Sequence, residues 1–132
     1  MADNIREFQL EMTAAYVELM GDLRTAVIAL SLDADATLRE RSPVLTGQFR
    51  ANWLTSVGEP NLAVQEGPGA GFASESAAAL AVYPDDAWPA VYVQNNLPYA
   101  NALEDGHSKK AANGVVAVTI AELAAKWESK TI

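Results

Sequence analysis

One histidine, His107, sits with Glu104 and Asp105 before it and Ser108 after it, and this is where acid–base chemistry would be sought. A catalytic centre needs a nucleophile, a base and an orienting group converging from distant segments. Here the polar residues are contiguous at a helix end, where side chains splay into solvent, so the sequence points to no enzyme and no catalytic residue. The cluster also lacks a second histidine or a spaced carboxylate pair, so no metal set is expected. Asp85-Asp86 are adjacent acids without the rest of a calcium loop and read as a solvated turn.

The glycine-rich stretch from Glu66 to Phe72 is the other chemically suggestive segment, because such loops can cradle phosphate. It lacks the following Gly-Lys-Ser/Thr of a nucleotide loop and does not follow a strand in the dinucleotide pattern. No cofactor is expected. The loop, with Gly67, Gly69 and Phe72, reads instead as a flexible candidate interface. Trp53, Trp88 and Trp127 lie in three different elements and only Arg50 stands near one of them, which suits packing better than base stacking.

The 132 residues carry 17 acidic and nine basic side chains, a formal net charge of −8. A duplex-DNA binder needs a basic stripe, and Lys109-Lys110 is the only basic pair, so sequence-specific DNA binding and adsorption to an anionic membrane are both disfavoured. Half the residues are hydrophobic, which fits a folded chain, and no cysteine is present to form disulfides. The N-terminus has no apolar core of a signal peptide, and no apolar run reaches the length of a membrane helix. A soluble product of the cytoplasm is expected.

The elements follow from periodicity. Ile5, Phe8, Met12, Tyr16, Leu19, Leu23, Val27 and Leu30 recur at spacings of three and four, which predicts an amphipathic helix over 4–40. Leu32-Asp33-Ala34-Asp35 is a candidate break. Such a helix either lies lengthwise on a sheet or offers part of its face, with Phe8, Met12 and Tyr16, to a neighbouring subunit. Pro43 ends it. Thr46-Gly47 predicts a turn and alternation from Gln48 to Val57 predicts a strand with Phe49, Ala51 and Trp53 on its buried face. Leu62-Ala63-Val64 is a candidate returning strand. Ser74 is a candidate cap for a short helix to Val82, stopped by Pro84. Val91-Tyr92-Val93 predicts a strand ended by Asn95-Asn96, then a short helix opened by Pro98 over Tyr99 to Asp105 and closed by Gly106. Val116, Ile120, Leu123, Ala124 and Trp127 predict a C-terminal helix. The fold class is therefore α+β: a long N-terminal helix and a C-terminal helix on a small, mainly antiparallel sheet, with short helices between, in one domain over 1–132.

Two segments carry a resemblance. Arg41-Ser42-Pro43-Val44-Leu45-Thr46-Gly47-Gln48-Phe49-Arg50-Ala51-Asn52-Trp53 resembles the Ser/Thr-Pro-Val-Asp-Thr-Gly-Arg-Leu/Phe-Arg-Ala-Ser/Asn-Trp signature of neck and tail-completion proteins of long-tailed bacteriophages. Tyr92-Val93-Gln94-Asn95-Asn96-Leu97-Pro98-Tyr99-Ala100-Asn101-Ala102-Leu103-Glu104-Asp105-Gly106-His107-Ser108 is similar to that family's Asn-Asn-Leu-Pro-Tyr-Ala-x-x-Leu-Glu-x-Gly-x-Ser. Ala112-Asn113-Gly114-Val115-Val116-Ala117-Val118-Thr119 matches its x-x-Gly-Met-Val-Arg-x-Thr more loosely. Leu45, Lys110 and Ala112 depart from the usual Asp, Gln and Pro. The resemblance runs from about residue 40 to the end. It implies a structural virion protein, assembled in the host bacterial cytoplasm as a homo-oligomeric ring of six or twelve copies. Such a ring joins the head connector or stopper to the tail terminator or tail tube and encloses the DNA channel. The alternative is the tail terminator that caps the tube. Within the motifs Pro43, Thr46, Gly47, Arg50, Trp53, Asn95, Asn96, Pro98, Tyr99, Leu103, Glu104, Gly106 and Gly114 read as folding determinants. An acidic lumen would let DNA slide without sticking.

Overall fold

The computed structural model describes residues 2–44, 47–66, 71–105 and 113–130. Its elements in chain order are α1 (Ala2–Arg41), α2 (Gln48–Ala51), β1 (Trp53–Val57), α3 (Ala73–Ala81), β2 (Val91–Asn95), α4 (Ala100–Glu104) and α5 (Val116–Trp127). The architecture is α+β, as the periodicity predicts. Among the described residues no helix is long and apolar enough to cross a membrane.

The candidate break in α1 does not occur. Asp33 and Asp35 stay helical because each finds a partner from another element. Lys126 Nζ (2.7 Å) and Trp127 Nε1 (2.8 Å) both meet Asp33 Oδ2, while Asp35 binds Arg39 and Thr55. These bonds lay α5 antiparallel along the last turns of α1, and Arg41 reaches Glu122 further on.

The sheet is an antiparallel pair with Trp53 opposite Asn95 and Val57 opposite Val91. α3 covers the other edge of β1, where the Thr55 amide donates to Ser76 Oγ at 2.8 Å. An otherwise open strand edge is thereby satisfied. The core sits where α1 ends: Leu38, Phe49, Trp53, Leu97 and Val115 are buried together, with Val93, Ala100 and Leu103 packed against them.

Several local expectations give way. Residues 48–51 form a helical turn, not the start of a strand. Gly47 enters it with φ +82, and the spacing of four between Phe49 and Trp53 sets their rings edge to face at 5.7 Å. Leu62-Ala63-Val64 is not a strand. Side-chain amides hold that run instead: Asn96 donates to the carbonyls of Asn61 and Ala63, and buried Asn52 bonds both backbone groups of Gln65. Phe72, not Ser74, occupies the N-cap of α3, and Ser76 is the serine that matters. Pro98 and Tyr99 form a turn, and α4 starts at Ala100. On α5 the buried positions are Val115 at its start and Thr119, while Val116, Ile120 and Ala124 face outward.

Candidate functional site

The residues of the two motifs converge on one knot around the end of α1. Ser42 Oγ accepts from Trp53 Nε1 (2.6 Å) and donates to the Leu38 carbonyl (2.6 Å), so a buried indole is satisfied by the helix terminus. Arg50 Nη2 approaches the carbonyls of Glu40 (3.4 Å) and Ser42 (3.3 Å), a cation at the negative pole of α1. Pro43, next to Ser42, is half-buried. Asn95 Nδ2 donates to the Phe49 carbonyl at 2.8 Å, and its Oδ1 accepts from the Leu97 amide at 3.2 Å, closing a local turn. Neither Asn95 nor Asn96 uses the left-handed conformation that asparagine tolerates; positive φ among the described residues falls on glycine alone.

Glu104 and Gly114 act together. Glu104 Oε1 accepts from the amides of Val115 (2.8 Å) and Val116 (2.6 Å), and Oε2 from that of Ala117 (3.0 Å). This carboxylate caps α5 from another element, since Val115 at the N-cap offers no side-chain acceptor. Partial burial pushes the Glu104 carboxyl up, and the three amides together outweigh that and hold it below its ordinary value. Gly114 lies against it with φ +86, where a Cβ would stand 2.6 Å from Glu104 Oε2. Tyr99, 6.2 Å from the Phe49 ring, and half-buried Leu103 complete the α4 side.

A second polar cluster was missed by sequence reading. Asp35 joins Arg39 Nε (2.7 Å) to Thr55 Oγ1 (2.7 Å), while Arg39 also donates to the carbonyls of Trp53 and Arg50. Asp33 and Asp35, two apart on α1, are the signal in the sequence, one that equally suits a candidate break. Gly71 was also missed as a determinant: with φ +73, any Cβ would strike the Ala51 carbonyl at 2.4 Å, and the Phe72 amide bonds that carbonyl. Phe72 is thereby tied to α2.

Thr46, Gly67, Gly69, Gly106, His107, Ser108 and Lys109-Lys110 lie outside the described residues. Among the described residues no three of His, Cys, Asp and Glu stand close enough to hold a metal ion. Asp85 and Asp86 are exposed in a bend after α3, and nearby Trp88 carries the Arg24 guanidinium at 4.7 Å.

What the body does not use is the first half of α1. Every residue from 3 to 19 is exposed, among them Phe8 (62%), Met12 (56%) and Tyr16 (63%). The half-helix extends about 25 Å as an arm beyond the body. Among the described motif residues Trp53, Asn95, Leu103, Glu104 and Gly114 are wholly or partly buried in the knot, and the arm is the long apolar stripe left exposed. Comparison with protein-family models, curated proteins and solved structures finds no match to this chain.

Proposed function

We propose that the protein is a ring subunit of a bacteriophage neck, joining head to tail around the DNA channel. The carrying observation is the arm: a stripe of Ile5, Phe8, Met12, Tyr16 and Leu19 left in water by its own chain. Lone surface apolars need no explanation, whereas a contiguous patch of this kind marks an interaction surface. The motif resemblance supplies the kind of assembly, and the residues that carry it are those that tie α1, α2, β2 and α5 into one rigid head for the arm. A charge of −8 per subunit suits a channel through which phosphates must slide.

Light scattering on a sizing column is expected to give the mass of a closed ring of six or twelve copies, and purified virions are expected to contain the protein. Virions that lack it would sink the reading. Lysates without the protein should hold full-length finished tails and unjoined heads; over-long tubes would make it a tail terminator.

A further inference from the structure

Among the described residues two apolar helix faces are left uncovered. The first is the α1 arm, where Ile5, Phe8, Met12, Tyr16 and Leu19 follow one another at spacings of three, four, four and three and are 47–63% exposed. A pattern averaging about 3.5 residues per turn drifts only about 20° per heptad, so over this length the stripe stays on one side of a nearly straight helix. The second is the outer face of α5, where Val116, Ala117, Ile120, Ala121, Ala124 and Ala125 are all exposed. The charged residues of α5, Glu122 and Lys126, are turned back onto α1 by Arg41 and Asp33, and the face left toward water is uncharged. An apolar helix face left in water is open to a second layer, and among the described residues α5 packs chiefly on α1, by its other side.

The two faces cannot meet within one molecule. α5 lies along the last turns of α1, with Trp127 bonded to Asp33 and Glu122 to Arg41. Because α1 is unbroken from Ala2 to Arg41, its first half runs away from α5 and cannot turn back.

We infer that the α1 arm of one copy packs along the outer face of α5 in the next copy. The lengths agree: Ile5 to Leu19 spans about 21 Å and Val116 to Trp127 about 17 Å at the helical rise. The shapes agree as well, because the large side chains of the arm meet a face built mainly of alanine, which lets two helix axes approach closely. The five stripe residues expose on the order of 600 Å², near the roughly 800 Å² per partner of a stable interface once flanking atoms are added. Each copy gives one arm and receives one, so every subunit is held twice. That is a heterologous contact, which closes into a ring or runs on as a filament. The inference deepens the ring reading by naming its joint. It rests on association between copies, not on a place in a virion.

The test mixes two variants, Tyr16→Glu, which spoils the arm, and Ile120→Glu, which spoils the α5 face. Both positions are more than 60% exposed, so folding is retained and checked by circular dichroism. Light scattering is expected to show a multi-subunit assembly for the wild type, a monomer for each variant alone, and a dimer for the equimolar mixture. In that mixture one intact arm meets one intact face and growth stops. A mixture that stays monomeric while the wild type assembles overturns the joint, as does assembly by either variant alone. A monomeric wild type at high micromolar concentration also overturns it, and leaves the neck role to be decided by virion composition. The chain has no cysteine, so Met12→Cys mixed with Ile120→Cys under oxidant should give a cross-linked heterodimer. Cross-linking within the Met12→Cys sample alone would mean arm pairs with arm, and would overturn the assignment to α5.

Discussion

At the scale of single residues, the fold hangs on side chains that satisfy backbone groups far away in sequence. Glu104 is the clearest, a carboxylate serving the N-terminus of a helix that starts 12 residues later. Replacing it with Gln keeps an acceptor but removes the charge that favours the positive end of α5, and is expected to cost about 1 kcal/mol in urea unfolding at neutral pH. The sign of the pH effect follows from the lowered carboxyl. The contribution of Glu104 is fully present above its unfolded pKa and is lost as pH falls through the folded value. The gap between wild type and Glu104→Gln should therefore narrow in acid, and a gap constant with pH would remove the charge from the explanation. Gly114→Ala meets both a positive φ and the Glu104 carboxylate, and a loss of about 2 kcal/mol or more is expected in the same assay. Asp35→Ala strips the partner from a mostly buried guanidinium and from Thr55. A loss of about 3 kcal/mol is expected, with Asp35→Asn less harmful because it keeps an acceptor for Thr55.

At the scale of elements, α1 combines two helices in one. Its C-terminal half is anchored by Arg24 to the Pro84 carbonyl and by Asp33 to α5, with Ser42 just beyond its end bonded to Trp53, whereas over residues 3–19 the side-chain bond from Thr13 to the Gln9 carbonyl stays within the helix. Gly21 sits at the junction, with open space where a Cβ would go. Gly21→Ala is therefore expected to stabilise the helix by about 0.5–1 kcal/mol and to raise helicity in circular dichroism, the opposite sign to Gly114→Ala. Both helical stripes were legible, because the period of 3.6 is written in residue order. The start of the first strand was not. Phe49, Ala51 and Trp53 fit an alternating strand and a helical turn equally well until Gly47 and the Trp53–Ser42 bond decide between them. The stripe of Val116, Ile120 and Ala124 that predicts α5 turns mostly to water in the fold. A helix apolar on nearly every side has no inside until its neighbour is placed.

At the scale of the whole molecule, the body and the arm are energetically separate. A chain beginning at residue 20 should melt within a few degrees of the full protein, since residues 3–19 bury nothing against the body. It should also lose all self-association in light scattering. A large drop in melting temperature would mean that the arm supports the fold, and retained assembly would mean that copies meet elsewhere.

The sequence by itself determined the fold class, the long N-terminal and the C-terminal helix and a strand at 91–93, because periodicity and β-propensity are local properties. It also marked Asn95, Glu104 and Gly114 as a group through their resemblance to a known pattern, without saying that Glu104 and Gly114 touch. Tertiary structure alone decided that Asp33 and Asp35 are anchors, that Ser76 closes the edge of β1, and which side of each helix meets water. Those outcomes depend on which distant group arrives to desolvate or satisfy a side chain, and no spacing along the chain encodes that arrival. The arm is the sharpest case: Phe8 and Leu38 belong to the same helix, and only the position where the body stops leaves one in solvent and the other in the core.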